Sequence, residues 1–346
     1  MIKYIGSKRR LVPEIVRIAQ TLGGSTALDL FSGTARVGHA LKRAGFRVTA
    51  NDHNAYAHAL GVCYVQADAG QWREPARELI ERLNRVDGKP GYFTRNFCEA
   101  SRYLQPENGA RVDAIRDRIA ELKLDPELEA IASVSLMEAA DRVDSTVGVQ
   151  MAYLKQWAPR ASKPLSLRLP NLAEGRGQAL MLDAAKAAKT GTFDVAYLDP
   201  PYNQHKYRNN YHVWETLVRW DQPEVYGVAC KRMDCREYRS EFNSKRTVQA
   251  AMQSVLDAVD ARYVIVSFSD EGNLSRDTLC NMLAEQGDVH VMTFEQNRYV
   301  GARIGIYNPS GEKVGRVCKT RNREMLFILD RSRAGALSRI SGERER

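Results

Sequence analysis

The sequence predicts an α/β protein with a parallel sheet, interrupted by a long helical insertion. A strand, turn, helix and strand follow one another within the first 52 residues. Apolar runs with strand character then return only after residue 177, and the stretch between them has a helix-forming composition. A βαβ unit requires a right-handed crossover between parallel strands, and sheets of this kind bind ligands at the carboxyl ends of their strands.

The first βαβ unit lies near the beginning of the chain. Residues 27–31 form a short apolar run that ends at Ser32-Gly33, and residues 35–45 place their apolar side chains on one face of a helix. A second run, residues 46–50, ends at Asn51-Asp52. This pattern puts Asp52 about 20 positions beyond the first turn, where nucleotide-binding α/β folds carry a ribose-binding acid.

The stretch from residue 55 to residue 177 is expected to be mainly helical. Its composition favours helices at residues 74–86, 111–122 and 125–138, with breaks at the glycine-rich segment 88–91 and the proline-rich segment 159–170. We interpret this stretch as an insertion that recognises the target molecule.

The second half of the core carries the remaining strand signals. Apolar runs predict strands at residues 179–182, 193–198, 263–268, 289–293 and 324–329. Residues 298–321 alternate polar and apolar side chains around Asn308-Pro309-Ser310-Gly311, which predicts a basic hairpin. The arginine-rich tail is expected to be disordered. The predicted organisation is therefore a core of residues 1–54 and 178–330, an insertion of residues 55–177, and a tail of residues 331–346.

Composition excludes several classes of protein. The 51 basic residues outnumber the 42 acidic ones, and the resulting charge of +9 favours a polyanionic partner. The six cysteines show no C-x-x-C pair, so neither a zinc site nor a disulfide scaffold is expected. We find no apolar run of the ~20 residues that a bilayer span requires and no apolar core of a secretory signal. A cytoplasmic protein without a metal or membrane partner is expected.

The most specific segment is Asp199-Pro200-Pro201-Tyr202, at the end of the predicted strand 193–198. The prolines remove two backbone donors and fix φ, so the turn presents a carboxylate and carbonyl oxygens as acceptors. Such acceptors suit an exocyclic amino group, held by Asp199 and the Pro200 carbonyl while Tyr202 stacks on the ring. The alternative is an ordinary turn, since prolines commonly end strands.

The turn from Asp29 to Gly38 is the second candidate element. Gly33 can adopt the positive φ of a tight turn and lets a ligand approach the backbone. A dehydrogenase is the obvious alternative, but the segment lacks the full G-x-G-x-x-G spacing and has Ala35 where a second glycine is expected.

Together these segments resemble the Dam-like, alpha-group adenine-N6-specific DNA methyltransferases. The N-terminal segment 3–11, the turn 29–38, Asp52 and the Asp199 tetrapeptide occur in that family's order. The resemblance covers residues 1–55 and 182–346, and it departs from the family at Ser7 and Ala35, where glycine is common. The tetrapeptide alone also occurs in some RNA methyltransferases, but the Tyr-x-Gly-x-Lys element together with this order is more restrictive.

The resemblance implies a Rossmann-like core that uses S-adenosylmethionine. Tyr4 and Lys8 would contact the methionine end of the cofactor, and Asp29, Phe31 and Gly33 would line its pocket. Asp52 would accept the ribose hydroxyls, Asp183 would lie near the adenine ring, and Asp199 would bind the target amino group and border the cofactor. Each has a simpler alternative: Tyr4 as a packing residue, Lys8 as a solvated charge and Asp183 as a helix N-cap.

The resulting hypothesis is a site-specific DNA adenine-N6 methyltransferase that flips its target base out of duplex DNA. Residues 203–214 mix aromatic, amide and basic side chains and could contact the flipped base and its phosphates, as could the basic hairpin. Tyr207, Tyr211 and Trp214 also follow helical spacing, and His205 and His212 are expected to make polar contacts. Two alternatives are an RNA methyltransferase and a catalytically silent nucleic-acid-binding module. A cognate restriction endonuclease is compatible with the family, but no residue identifies one. Association with the nucleoid through DNA is expected.

Overall fold

A computed structural model of the chain describes residues 1–6, 8–151, 156–203, 206–297, 306–307, 313–315 and 321–342. The strands of the main sheet are β1 (Thr26–Asp29), β2 (Arg47–Asn51), β3 (Gln178–Leu180), β4 (Phe193–Leu198), β7 (Ala261–Ser269), β8 (Asp288–Asn297) and β11 (Arg321–Asp330). Two small ribbons consist of β5 (Val225–Tyr226) with β6 (Lys231–Arg232), and β9 (Ile306–Tyr307) with β10 (Lys313–Gly315).

Helices fill the connections between these strands. The α-helices are α1 (Val12–Leu22), α2 (Arg36–Arg43), α3 (Ala55–Gly61), α4 (Ala69–Asn84), α5 (Pro106–Glu121), α6 (Pro126–Val143), α7 (Ala184–Ala187), α8 (Tyr207–Asn210), α9 (His212–Arg219), α10 (Asp234–Glu237), α11 (Val248–Ala258), α12 (Arg276–Ala284) and α13 (Leu337–Gly342). Short 3-10 turns occupy Lys8–Arg10, Pro159–Ser162 and Glu241–Asn243, and π-helical turns occupy Val62–Gln66 and Thr94–Ala100. None of the described helices is long and apolar enough to cross a membrane.

The main sheet has seven strands in the order β3-β2-β1-β4-β7-β11-β8. The first five strands in this order are parallel, whereas β11 runs antiparallel to both of its neighbours. The order reverses between β1 and β4, so the chain segments leaving these two strands diverge. A reversal of this kind opens a crevice at the carboxyl ends of the strands. The predicted α/β class with a mostly parallel sheet is confirmed.

Both faces of the sheet are buried, as continuous apolar strands predict. Along β4, Val195 and Tyr197 pack into a hydrophobic cluster on one face, and Ala196 and Leu198 pack into a second cluster on the other. Because successive strand residues point to opposite faces, one apolar run supplies both clusters.

Helices α4, α5 and α6 coincide closely with the three helices expected between residues 55 and 177. This region does not have a separate core, because Tyr56 of α3 and Ile131 of α6 belong to the same hydrophobic cluster as Ile15 of α1. Residues 55–143 therefore pack on one face of the sheet as part of the same hydrophobic core. Their part in target recognition stays a prediction.

The expectation of a disordered tail is wrong for residues 331–342. Arg331 donates hydrogen bonds to the carbonyls of Leu256 at 2.6 Å and Ala261 at 3.4 Å. Ile340 is 1% exposed and packs, with Ala336, in the cluster that contains α1. Ala336, directly before α13, and Ile340, within it, dock this short segment, although it shows no long hydrophobic face.

The predicted hairpin lies mostly outside the described residues. Within the described part, Lys313 pairs with Tyr307 and Gly315 with Ile306 in an antiparallel ribbon, as a hairpin requires. The turn at Asn308-Pro309-Ser310-Gly311 lies outside the described residues.

Asp194 joins the beginnings of β1 and β4. Its Oδ2 atom accepts hydrogen bonds from Ser25 N at 2.7 Å, Thr26 N at 2.9 Å and Thr26 Oγ1 at 2.9 Å. The neighbouring Gly24 has φ +106°, and a Cβ there would lie 2.3 Å from Asp194 Cβ. The hydrogen bond from Ser25 N is the largest influence that lowers the pKa of Asp194, and those from Thr26 act in the same direction. One carboxylate therefore aligns the two strands that flank the crevice.

Replacing Asp194 with alanine should lower the free energy of unfolding by about 2 kcal/mol, because three donors to a charged acceptor lose their partner. Since the pKa of Asp194 is lowered in the folded protein, this contribution is complete above the unfolded pKa of about 3.9 and disappears as the pH falls through the folded value. Urea unfolding at pH 7 and at pH 3 measures it, with Asp277→Ala on exposed α12 as the control. A loss of equal size at both pH values would contradict the assignment.

Candidate active site

A cleft opens at the carboxyl ends of β1 and β4, where the strand order reverses. Its volume, including the part open to solvent, is about 850 Å³. Most of the residues singled out from the sequence line it, namely Tyr4, Lys8, Asp29, Phe31, Gly33, Asp52, Asp199 and Pro201. The fold thus brings the N-terminal segment, the β1 turn and the β4 turn to one place.

Lys8 is the central charge of the cleft. Its Nζ atom lies 3.2 Å from Asp199 Oδ1 and 3.0 Å from Glu324 Oε2, and its side chain is only 6% exposed. Burial alone would lower the pKa of Lys8, but attraction to Asp199 and Glu324 outweighs it and raises the pKa well above the ordinary value. The alternative of a solvated lysine is therefore wrong.

Opposing influences act on the pKa of the Asp199 carboxyl group. Burial raises the pKa of Asp199 to about 6, attraction to Lys8 opposes the rise, and repulsion from Glu324 adds to it. The group directly follows Leu198, the last residue of β4, and Pro200 ends the strand ladder because it has no N–H to donate. The rigid turn fixes where this acceptor lies.

Asp29 ends β1 and is 1% exposed. Its Oδ2 atom accepts a hydrogen bond from Gly38 N at 2.8 Å, while its Oδ1 atom is buried without a hydrogen-bond partner among the described residues. Burial raises the pKa of Asp29 to about 7, the Gly38 hydrogen bond opposes the rise, and repulsion from Asp199 and Asp52 adds to it. A buried acceptor with a free oxygen in a cleft is suited to a cationic or N–H donor of a ligand.

Asp52 follows β2 and stabilises the turn after β1. Its Oδ2 atom accepts a hydrogen bond from Gly33 N at 3.1 Å, and its Oδ1 atom accepts one from Asn54 N at 2.9 Å. Gly33 has φ +49°, and a Cβ there would lie 3.3 Å from the Tyr4 hydroxyl. Glycine is favoured at this position by both the backbone conformation and the close approach of Tyr4.

Tyr4 lines the cleft and also packs within an aromatic stack. Its ring centroid lies 4.5 Å from that of Tyr211 and 5.2 Å from that of Tyr207, and its hydroxyl lies 3.2 Å from that of Tyr56. The Tyr211 hydroxyl accepts a hydrogen bond from Ile5 N at 2.7 Å and donates one to Gly148 O at 3.2 Å. Tyr4 therefore packs against other side chains, as the alternative predicted, and also lines the cleft.

Three of the predicted site residues are not among those that line the described cleft. Pro200 is buried, and the Tyr202 ring packs 5.7 Å from that of Phe268, with Lys8 Nζ 5.5 Å from its centroid. Asp183 is exposed and accepts a hydrogen bond from Ala185 N at 3.0 Å, so the alternative of an N-cap is right for the geometry seen here.

The segment that follows the tetrapeptide divides into two kinds of residue. Tyr207 and Arg208 line the cleft, whereas Tyr211 and Trp214 are buried, as their helical spacing indicates. His212 Nε2 lies 2.8 Å from Gln150 O, so the expected polar contact is confirmed. His205 lies outside the described residues. Where the chain is described, no cluster of three potential metal ligands occurs.

Sequence reasoning missed several residues of the cleft. Tyr238 and Asn243 line it from the connection before α11, and Arg208 lies 4.6 Å from the Tyr238 ring centroid. Glu324, the ion-pair partner of the cleft residue Lys8, was also missed, although one signal was available: a carboxylate opens the otherwise apolar run at residues 324–329. Nothing in the sequence pattern connects Tyr238 with the cleft.

Comparison with known proteins agrees with this arrangement. Residues 4–282 match the family described as D12 class N6 adenine-specific DNA methyltransferase. The chain is 31% identical to the type II methyltransferase M.NlaIII of Neisseria lactamica, over 86% of this chain and 92% of that protein.

Two further relatives are more distant. The chain is 27% identical to the type II methyltransferase M.CviAII of Paramecium bursaria Chlorella virus 1, over 86% of this chain and 92% of that protein. It is also 27% identical to the modification methylase StsI of Streptococcus sanguinis, over 87% of this chain but 49% of that protein, so it spans about half the length of StsI. The match across most of the chain, together with the Asp199 tetrapeptide at the end of β4, establishes that the protein belongs to the D12 class of N6 adenine-specific DNA methyltransferases.

Proposed function

We propose that the enzyme transfers the methyl group of S-adenosylmethionine to the N6 atom of an adenine flipped out of duplex DNA at a specific sequence. The observation that carries this proposal is the meeting of Asp199 with Asp29 and Asp52 in one cleft at the β1–β4 reversal. One acidic side chain can hold the target amino group there, while two others hold a cofactor beside it.

The residues of the cleft fit this cofactor. The unpartnered Oδ1 atom of Asp29 provides an acceptor for the ammonium group, and Asp52 lies where ribose hydroxyls would be bound. Gly33 allows the methionine part to approach the backbone closely, and Phe31 and Tyr4 contribute apolar walls. Leu182 and Ala184, on either side of Asp183, line the part of the cleft that we assign to the adenine ring. Lys8, expected at the cofactor's carboxylate, pairs instead with Asp199 and Glu324.

When bound, the cofactor supplies an electrophilic methyl group on a sulfonium. We assign to Asp199 and the Pro200 carbonyl the two N–H donors of the target amino group, which would favour a tetrahedral nitrogen with an available lone pair. The nitrogen lone pair forms the new bond to the methyl carbon, and the electron pair of the broken carbon–sulfur bond stays on sulfur. The nitrogen then gives up one proton, for which the Asp199 carboxylate is an acceptor.

Flipping the base costs a few kcal/mol, which contacts with the DNA must offset. Tyr207 and Arg208 line the cleft beyond the tetrapeptide, so we assign contacts with the flipped base or its phosphates to them. The insertion of residues 55–177 would recognise the target sequence, with the basic hairpin on the phosphates. The relatives' names, type II methyltransferase and modification methylase, support a restriction–modification role with a cognate endonuclease.

Asp199→Ala should lower methyl transfer by about a thousandfold, the effect of removing a main transition-state contact, and leave DNA affinity measurable. The measurement is mass-spectrometric detection of N6-methyladenine in duplex DNA, with Asp277→Ala as the matched control. Substantial residual turnover by the Asp199 variant would contradict the site. Methylation of structured RNA in place of duplex DNA would favour the RNA alternative, and DNA binding without transfer by the unmodified enzyme would favour the silent module.

Cofactor affinity should fall as the pH drops below about 7, because Asp29 must be ionised to bind an ammonium group and its pKa is raised to about 7. Calorimetry with S-adenosylhomocysteine between about pH 5.5 and pH 8 measures this, with a limiting slope of about tenfold per pH unit. Asp29→Asn should bind about tenfold more weakly at pH 8 and lose most of the slope. An unchanged slope in this variant would show that another group is responsible.

A further inference from the structure

Glu324 pairs with the cleft residue Lys8 and has no part in the reaction described so far. It belongs to β11, the antiparallel strand between β7 and β8, and its register partners are Ser269 and Phe294. Building on the role proposed for Asp199, we propose that Glu324 is a positioning residue for methyl transfer, which pairs with Lys8 so that the ammonium does not neutralise the charge that Asp199 presents to the target amino group.

The first support is the geometry of the ion pairs. Lys8 Nζ lies between the two carboxylates, 3.2 Å from Asp199 and 3.0 Å from Glu324. The side chains of Lys8 and Glu324 are each 6% exposed, so water screens their interaction little. Buried charges of this kind must be paired, and Lys8 pairs with both carboxylates at once. The three groups therefore behave as one unit.

The second support is the balance of charge within that unit. Lys8 and Asp199 alone would form a neutral pair, whereas the addition of Glu324 leaves one excess negative charge. During transfer, positive charge moves from the sulfonium to the amino nitrogen, toward Asp199. Fixed negative charge at the place where positive charge develops stabilises the transition state more than the ground state. Glu324 thus compensates the ammonium that would otherwise cancel the charge of Asp199.

The third support is the orientation of the Asp199 carboxylate. The ion pair with Lys8 is made by its Oδ1 atom. Oδ2 is therefore left to accept the N–H of the target. Glu324 restrains Lys8 and, through it, the rotation of this carboxylate.

Other titratable groups face Asp199 from the neighbouring elements. The hydroxyls of Tyr197, Tyr202 and Tyr207 lie close enough to interact with its charge, and burial raises the pKa of each, so all three stay neutral during turnover. Asp29 is the remaining carboxyl group that repels Asp199, and its own pKa is raised to about 7 by burial. A comparison of variants must therefore separate the titration of Asp199 from that of Asp29.

Glu324→Gln keeps the shape and a hydrogen-bond acceptor but removes the charge. We expect kcat to fall about tenfold to a hundredfold, with KM for S-adenosylmethionine and the dissociation constant for DNA within about twofold of their original values. Glu324→Asp keeps the charge at a greater distance, so kcat should fall only about threefold. Glu285→Gln, the same substitution at an exposed position directly after α12, is the control and should leave all three quantities unchanged.

A second readout needs neither methyl donor nor DNA. The carboxyl of Asp199 can be titrated by NMR in protein labelled with [13Cγ]aspartate, with its signal assigned by comparison with Asp199→Asn and that of Asp29 with Asp29→Asn. Because Glu324 repels Asp199, the pKa of Asp199 should be lower in Glu324→Gln than in the original protein, and the signal of Asp29 should move less. A purely structural ion pair would lower stability without this directional shift.

The proposal is contradicted if Glu324→Gln keeps the original kcat, or if the pKa of Asp199 does not fall in that variant. If Glu324→Gln does not fold, Glu324→Asp decides, since an unchanged kcat together with an unchanged pKa would contradict the proposal. If the unmodified enzyme methylates no DNA, the proposed function fails instead, while the titration still tests the unit formed by Lys8, Asp199 and Glu324.

Discussion

The reversal of strand order between β1 and β4 is the constraint on which the site depends. Because the connections leave these adjacent parallel strands in opposite directions, a crevice opens at their carboxyl ends, and Asp29 and Asp199 line it. Asp194 holds the opposite ends of the same two strands in register through its contacts with Ser25 and Thr26. The position of the cleft is therefore set by the sheet, and residues from the N-terminal segment, from the end of β2 and from the segment after the tetrapeptide complete its lining.

The chemical properties of the cleft depend on the burial of its charged side chains. Asp29 and Asp199 both lie among apolar and aromatic groups, and the same desolvation raises the pKa of each toward neutrality. They differ in their partners, since Asp199 has an ammonium beside it and Asp29 has only a backbone N–H. The two carboxylates of the cleft therefore differ in the ligand groups that they can bind.

The fold and most of the cleft residues could be predicted from the sequence, because these features depend on local sequence patterns. Strand 193–198 is a continuous apolar run, and the Asp199 tetrapeptide follows it directly, so both can be recognised without knowledge of the rest of the chain. Glu324 could not be connected with Lys8 in this way, since their contact depends on the placement of β11 between β7 and β8. Docking of the tail through Arg331 and Ile340 was missed for the same reason: its stability comes from distant carbonyls and from α1, not from the local pattern.

The Tyr211 hydroxyl group connects distant parts of the chain. Tyr211 receives the N–H of Ile5, donates to the carbonyl of Gly148, and lies with its ring against Tyr4. Three segments far apart in the chain are thus joined at a single side chain: the N-terminal segment, the loop after α6 and the helical segment beyond the tetrapeptide. A displacement of the loop at Gly148 would also move the Tyr211 side chain and the Tyr4 ring against it. The position of this loop is therefore coupled to the wall of the cleft.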